Sequence, residues 1–209
     1  MNGLIEDNKP LVSVFVITYN HELYIAQCLQ SIVAQKTNFR FEVVLGEDGS
    51  PDNTRKICEE YASRYPDIIK LLPAEKNMGA IKNGIRTFKA CTGKYIAMCE
   101  GDDYWCDNTK LQQQIDFLEE HPDFSLCFSS VWVKNAAGDN LPYENYYSVS
   151  SKDEYTIEDF ILSERNIVPT PSVVFRNVLP DPYPRFFLES LVGDMPVQLF
   201  AGDKGKAKF

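Results

Sequence analysis

The chain has 209 residues, 44% of them apolar, with 30 acidic side chains against 21 basic ones and a formal net charge of −9. That size suits one globular domain with a substantial core, and the composition excludes a disordered chain. The acidic balance argues against a nucleic-acid-binding protein, which needs a basic face for phosphate, but leaves room for a small phosphorylated ligand held through a divalent cation.

Leu11 to Ile17 is nearly continuous in apolar residues and reads as a strand buried on both faces. From Glu22 to Ala34, the residues Ile25, Cys28, Leu29, Ile32 and Val33 recur at helical spacing. Phe41 to Leu45 reads as a second strand. The turn residues Asp48 to Asp52 follow, with Ser50 or Asp52 available to cap a helix ending near Tyr65. Ile68 to Leu72 is a third strand, Ala80 to Cys91 a helix and Tyr95 to Cys99 a fourth strand. Lys110 to Glu120 is a helix stopped by His121-Pro122, and Phe124 to Val133 reads as one long alternating strand. Residues 136–152 form a polar, tyrosine-rich surface loop. A short helix over Thr156 to Leu162, a short strand over Ser172 to Arg176 and a helix from Val197 onward complete the chain. Strands alternating with helices predict an α/β fold, a mostly parallel central sheet flanked by helices.

No apolar run approaches the roughly 20 residues of a membrane span. Residues 2–10 are polar and acidic, unlike a signal peptide. The six cysteines are scattered without a C-x-x-C pair and mostly sit in apolar runs. They are expected to be reduced, packed thiols, with no zinc site, in a cytoplasmic protein.

The polar oddities of the sequence all follow strands. Thr18-Tyr19-Asn20 follows the first, Glu47-Asp48-Gly49-Ser50 the second, Asn77-Met78-Gly79 the third and Glu100-Gly101-Asp102-Asp103 the fourth. Right-handed crossovers bring loops at the carboxyl ends of parallel strands to one edge, where open α/β sheets bind ligands. Three carboxylates within four residues are unfavourable without a counter-ion and suit Mg²⁺ or Mn²⁺, hard cations that take oxygen ligands. The bland alternative is a solvated acidic turn, against which the adjoining Tyr104-Trp105 counts. Glu47 and Asp48 could equally be turn residues or acceptors for a base or ribose, and Thr18 and Tyr19 offer a hydroxyl and an aromatic face.

These segments, together with Leu29-x-Ser31, Gln35 and Asn83-Gly84, occur in an order that resembles the family-two glycosyltransferases of the GT-A fold, from about Leu11 to Leu111. Beyond Val133 the similarity is thinner and rests on Thr170 to Arg176 and Gly193-Asp194. The resemblance implies inverting transfer of a sugar from a nucleotide-diphosphate donor, a UDP-sugar in the first instance, to a saccharide or lipid-linked saccharide acceptor. Residues 1–133 would form the nucleotide-sugar-binding half and 134–209 the acceptor-binding half of one domain, cut short at its C-terminus. The implied nucleotide-binding residues are Thr18, Tyr19, Asn20, Glu47, Asp48, Asn77, Gly79, Lys82 and Asn83. Asp102 and Asp103 would ligate Mn²⁺ or Mg²⁺, with Glu100 and Gly101 beside the donor. Asp194 would be the general base, with Glu189 in reserve. A helix-capping role is the plain alternative for Asp194, since it follows Gly193 and precedes Met195-Pro196. Glu47 stands where the family usually has aspartate, and Lys82 where many relatives carry arginine. Both histidines read as surface or helix-end residues. The family also implies work at the inner face of a membrane, by peripheral association. A donor-binding relative without catalysis is the competing reading. A nucleotidyltransferase fits less well, because Val14 to Asn20 lacks the glycine and arginine of a phosphate loop.

Overall fold

A computed structural model describes residues 9–142, 152–163, 166–180, 182–190 and 193–209. The N-terminal stretch read as unlike a signal peptide and most of the predicted 136–152 loop lie outside the described residues. The first strand, β1 (Val12–Thr18), is buried at every position but the partly buried Ile17, as its nearly continuous apolar run requires. It pairs in parallel with β2 (Phe41–Glu47) on one side and with β4 (Tyr95–Met98) on the other, and β2 pairs in parallel with β3 (Ile69–Leu71). Beyond β4 the direction reverses. The strand β9 (Val174–Arg176) runs antiparallel between β4 and β5 (Phe124–Cys127). Next to β5 lies β10 (Lys206–Lys208), parallel to it, and then β8 (Glu154–Tyr155), antiparallel. The full order of this eight-stranded sheet is β3-β2-β1-β4-β9-β5-β10-β8. It is the predicted α/β architecture.

The two sheet faces carry separate cores. On one, α1 (Ile25–Val33) buries Ile25, Cys28, Leu29 and Ile32, and α4 (Lys110–Glu120) buries Leu111, Ile115 and Leu118, against Val14 and Val16. On the other, α3 (Ala80–Ala90) places Phe88 in a stack on Phe15, with ring centroids 3.9 Å apart, beside Val197 and Ala201 of α7 (Asp194–Gly202). Both sets recur at helical spacing, which is why one face of each helix is apolar. The remaining helix of the first half, α2 (Thr54–Arg64), buries Cys58 against the first core.

Three readings of the second half need correction. The run Phe124 to Val133 is not one strand. β5 ends at Cys127, and Val133–Lys134 (β6) pairs instead with Asn140–Leu141 (β7) in a separate hairpin. Past Cys127, Phe128 is still buried, but Trp132 lies exposed and outside any strand. The last helix begins at Asp194 rather than Val197, and it is followed by β10, where no strand was expected. A short helix α5 (Ile157–Leu162) matches its prediction, capped by Thr156 and Asp159 in a reciprocal box. A further helix, α6 (Arg185–Leu188), had no clear sequence signal. No helix among the described residues is long and apolar enough to cross a membrane. All six cysteines are free, and only Cys106 is exposed.

Candidate active site

The loops after β1, β2, β3 and β4 meet at one sheet edge, and their backbones are tied together directly. After β1, Asn20 takes a left-handed turn with φ 63°. Its amide donates to Ser50 Oγ at 3.0 Å, while the amide of Asp48 donates to the Thr18 carbonyl at 3.1 Å. The amides of His21 and Glu22 donate to Thr54 Oγ1 and Asp52 Oδ2. Asp52 Oδ1 also accepts from the Thr54 amide, so Asp52 joins the two loops as well as opening α2. Loops that otherwise expose backbone donors are thus satisfied by each other.

The second loop holds the third. Buried Asp48 accepts the Met78 amide on Oδ1 at 3.0 Å and the Gly79 amide on Oδ2 at 2.9 Å, and Asn77 Oδ1 accepts the same Gly79 amide. Gly79 has φ 88°, a conformation that favours glycine, and leads into α3. Its neighbours Asn77 and Lys82 are exposed at this edge. Glu47 is 0% exposed. Its Oε1 accepts the Ser50 amide at 2.6 Å and its Oε2 faces the Arg55 guanidinium at 3.5 Å. Asn83 is also buried, its amide donating to the Gly46 carbonyl at 2.7 Å and its carbonyl accepting from Arg86 Nε at 2.9 Å. Glu47, Asp48 and Asn83 are therefore buried braces between the loops, Thr18 is buried beside them, and Tyr19, Asn77, Gly79 and Lys82 are exposed at the edge. Arg55 and Arg86 belong to no motif visible in the sequence. Arg86 also donates to the Glu47 carbonyl at 2.7 Å and to the Pro73 carbonyl, which links the second and third loops.

The acidic loop after β4 is drawn under the first loop. The Gly101 amide donates to the Ile17 carbonyl at 2.9 Å. A Cβ at 101 would meet Thr18 Oγ1 at 2.3 Å, so only glycine allows this approach. One ligand oxygen each of Glu100, Asp102 and Asp103 lies within 4.8 Å of the others. Burial, reinforced by Asp103, Asp102 and Asp194, pushes the Glu100 carboxyl up to about 7. Burial and the neighbouring Asp102 likewise push Asp103 up to about 7. The charge crowding inferred from the sequence is therefore physical, and a bound cation would relieve it. His21 belongs here too. Its Nδ1 lies 3.3 Å from Thr18 Oγ1 and its Nε2 3.9 Å from Asp102 Oδ2, so it bridges the first and fourth loops instead of standing at the surface.

From the far half of the chain, the start of α7 brings Asp194 close enough for its charge to bear on Glu100. Gly193, not Asp194, occupies the helix-capping position. Asp194 Oδ2 accepts from Asn166 Nδ2 at 3.0 Å and from Thr170 Oγ1 at 3.1 Å, and Oδ1 accepts the Met195 amide at 2.9 Å. Neither Asn166 nor the Thr170 contact could be read locally, since both partners lie more than twenty residues away in the chain. Glu189 is instead paired with exposed Arg185 at 2.7 Å on the short helix α6.

The sequence model described as "Glycosyl transferase family 2" matches residues 13–179. An uncharacterized protein of Mycobacterium tuberculosis is 36% identical over 165 residues, which cover 79% of this chain and 46% of that protein. The chain spans about half the length of the curated relatives it matches first. Among solved structures, S. aureus TarS 1–349 in complex with UDP superposes with a TM-score of 0.67 at 24% identity, covering 94% of this chain and 57% of that one. Mannosyltransferase PcManGT from Pyrobaculum calidifontis, in complex with GDP-Man and Mn²⁺, superposes with a TM-score of 0.57 at 19% identity, covering 80% and 45%. These structural likenesses establish a shared GT-A fold. With the family match running from β1 to just beyond β9, the chain belongs to glycosyl transferase family 2.

Proposed function

We propose that this chain catalyses metal-dependent, inverting transfer of a sugar from a nucleotide diphosphate to an acceptor hydroxyl, with residues 1–133 serving the donor and 134–209 the acceptor. The observation that carries this reading is the convergence of Glu100, Asp102 and Asp103 within 4.8 Å, with Asp194 near enough to raise the Glu100 carboxyl further. An all-oxygen, anionic donor set fits a hard divalent cation, Mn²⁺ or Mg²⁺, and fits softer metals poorly. Asp102 and Asp103 would hold it, with Glu100 and Gly101 bordering the donor sugar. When bound, such an ion offsets the charge of a diphosphate leaving group.

The rest of the chemistry falls to the chain. Thr18, Tyr19, Asn20, Asp48, Asn77, Gly79 and Lys82 border the nucleotide, and Glu47 and Asn83 support them from behind. Asp194 accepts the proton of the attacking hydroxyl. Asn166 and Thr170 orient its carboxylate through their hydrogen bonds to Oδ2. A single positioned base acting on the acceptor hydroxyl suits single displacement, hence inversion. The bound UDP in the TarS structure supports a uridine donor, and Mn²⁺ in the PcManGT structure supports the metal. The acceptor is read as a saccharide, free or lipid-linked. In the second case the whole protein would work at the inner membrane face by peripheral association.

Calorimetry with UDP, with and without Mn²⁺, tests the reading. Binding that needs the metal and is lost in Asp103→Ala supports it. Equal UDP affinity in EDTA and in Mn²⁺ would overturn the metal assignment, and donor binding without transfer or hydrolysis would favour a binding protein over an enzyme.

A further inference from the structure

The imidazole of His21 is held in one place by three segments of the chain. Asn20 before it takes the left-handed turn. The His21 amide donates to Thr54 Oγ1 at 2.8 Å, and its carbonyl accepts the amides of Tyr24 and Ile25, both at 3.0 Å. The ring meets the edge of the Tyr24 ring with centroids 6.5 Å apart. On its other side is the acidic loop. A Cβ at Gly101 would stand 3.0 Å from His21 Nδ1 as well as 2.3 Å from Thr18 Oγ1, so glycine there leaves room for both side chains. The first loop, the start of α2 and the acidic loop fix the ring together.

Its two ring nitrogens face different groups. Nδ1 lies 3.3 Å from the hydroxyl oxygen of buried Thr18, and Nε2 lies 3.9 Å from Asp102 Oδ2. A carboxylate only accepts, so the nitrogen that faces Asp102 is assigned the hydrogen, and Nδ1 accepts from the Thr18 hydroxyl. The hydroxyl of Thr18 thereby selects the tautomer. Asp102 needs such a partner more than its neighbours do. Glu100 and Asp103 are partly buried, whereas the Asp102 side chain is 51% exposed. Among the described residues, His21 supplies the one ion-pair or hydrogen-bond contact of that carboxylate. An exposed carboxylate samples several rotamers, and it loses that freedom on taking up a cation.

We propose that His21 is a positioning residue for the metal: Thr18 fixes its tautomer, and its Nε2–H holds Asp102 in the orientation that receives the cation. The role rests on the reading of Asp102 as a ligand of the divalent ion. Groups that orient a ligand from outside commonly set metal affinity by about 10- to 100-fold. The 3.9 Å separation exceeds a hydrogen bond, and a turn of the exposed Asp102 side chain is enough to close it. The neighbouring carboxylates do not share this device, because neither Glu100 nor Asp103 faces an imidazole. Thr18, His21 and Asp102 thus join the loop after β1 to the loop after β4 through side chains. A change at Thr18 therefore reaches the metal through the imidazole.

Two measurements on the intact chain test this, both without nucleotide. The first is calorimetric titration with Mn²⁺. His21→Phe keeps an aromatic ring but removes both nitrogens, and should weaken Mn²⁺ binding about tenfold or more. His21→Gln sets an amide N–H where Nε2 stands and should keep most of the affinity. His21→Asn reaches only as far as Nδ1 and should lose as much as His21→Phe. Thr18→Val removes the hydroxyl that selects the tautomer and should weaken Mn²⁺ binding in the same direction. The second is a long-range ¹H–¹⁵N spectrum of the metal-free protein, which reports each ring nitrogen separately. Nε2 of His21 should carry the hydrogen and Nδ1 should be bare, and Thr18→Val should convert this to a mixture. The opposite tautomer in the parent, or equal Mn²⁺ affinity in the parent and His21→Phe, overturns the role of His21. Equal losses in His21→Gln and His21→Asn would make the residue a packing element and overturn it too. A parent that binds no Mn²⁺ removes the metal assignment itself and this role with it, an outcome distinct from the others because they leave the parent's binding intact.

Discussion

Replacing Asp103 by Asn should stabilise the metal-free protein and at the same time destroy its metal-dependent donor binding. The carboxyl of Asp103 is pushed from its ordinary 3.8 up to about 7 by burial and by Asp102. A raised carboxyl pKa penalises the folded state above the ordinary value. The penalty is absent below about pH 4, grows as pH rises and is complete only above about pH 7. At about 1.4 kcal/mol per pH unit, the ceiling is about 4 kcal/mol at pH 8. Partial exposure lets solvent screen some of it, so about 2 kcal/mol is the working figure. For a chain of this size that corresponds to a rise of about 4–8 °C in melting temperature. The assay is a melting curve in EDTA at pH 8 and again at pH 5, where the gain should fall by more than half. Mn²⁺ should then raise the parent's melting temperature and leave the variant's unchanged. A variant that melts at or below the parent in EDTA at pH 8, or one whose gain is the same at pH 5, refutes the picture of a charge-frustrated site.

Asp194→Asn should leave UDP binding in Mn²⁺ intact and lower kcat by about 10²- to 10⁴-fold, the usual contribution of a positioned base, measured by product formation under saturating donor. Thr170→Val and Asn166→Ala each remove one hydrogen bond from Asp194 and should lower kcat about tenfold with donor KM unchanged. Thr170→Ser should restore most of the activity. Gly101→Ala forces a Cβ to within 2.3 Å of Thr18 Oγ1. It should cost about 1–3 kcal/mol in denaturant unfolding, as overpacking does, and weaken Mn²⁺ binding because the acidic loop is displaced. Metal-free protein should bind Mn²⁺ more tightly as pH rises through about 7, since Asp103 must lose its proton to bind it.

The first half of the fold was legible because each strand announces itself. β1 is buried on both faces and therefore nearly continuous in apolar residues, and the helices after it keep one apolar stripe. The acidic run was legible because like charges at that spacing have no good structural excuse. What could not be read was long-range. The partners of Asp194 lie 24 and 28 residues away, and nothing local in Asn166 or Thr170 points to them. His21 looked like a surface residue because its neighbour Asp102 arrives from another strand. β10 is only three residues, two of them lysines, with Ala207 alone buried, so its pattern carries almost no signal. Phe124 to Val133 misled for the opposite reason. Its apolar residues outlast the strand, with Trp132 exposed outside any strand and Val133 paired in a separate hairpin with β7.

The position of β9 between β4 and β5 sets the order in which this molecule can be built. Strands β1 to β4 and their helices close on contacts within the first hundred residues, so they can form as soon as that length has left the ribosome. β5 cannot join them then, because neither of its sheet neighbours exists until residues 174–176 and 206–208 have been made. Until that moment β4 and β5 present open edges, the surfaces most prone to wrong pairing. Closing the sheet requires a strand that travels back across some eighty positions, from β9 to Tyr95–Met98, a slow kind of step. The same closure brings α7 in and sets Asp194 beside Glu100. The loops after β1 to β4 can therefore be in place in a nascent chain before Asp194 arrives.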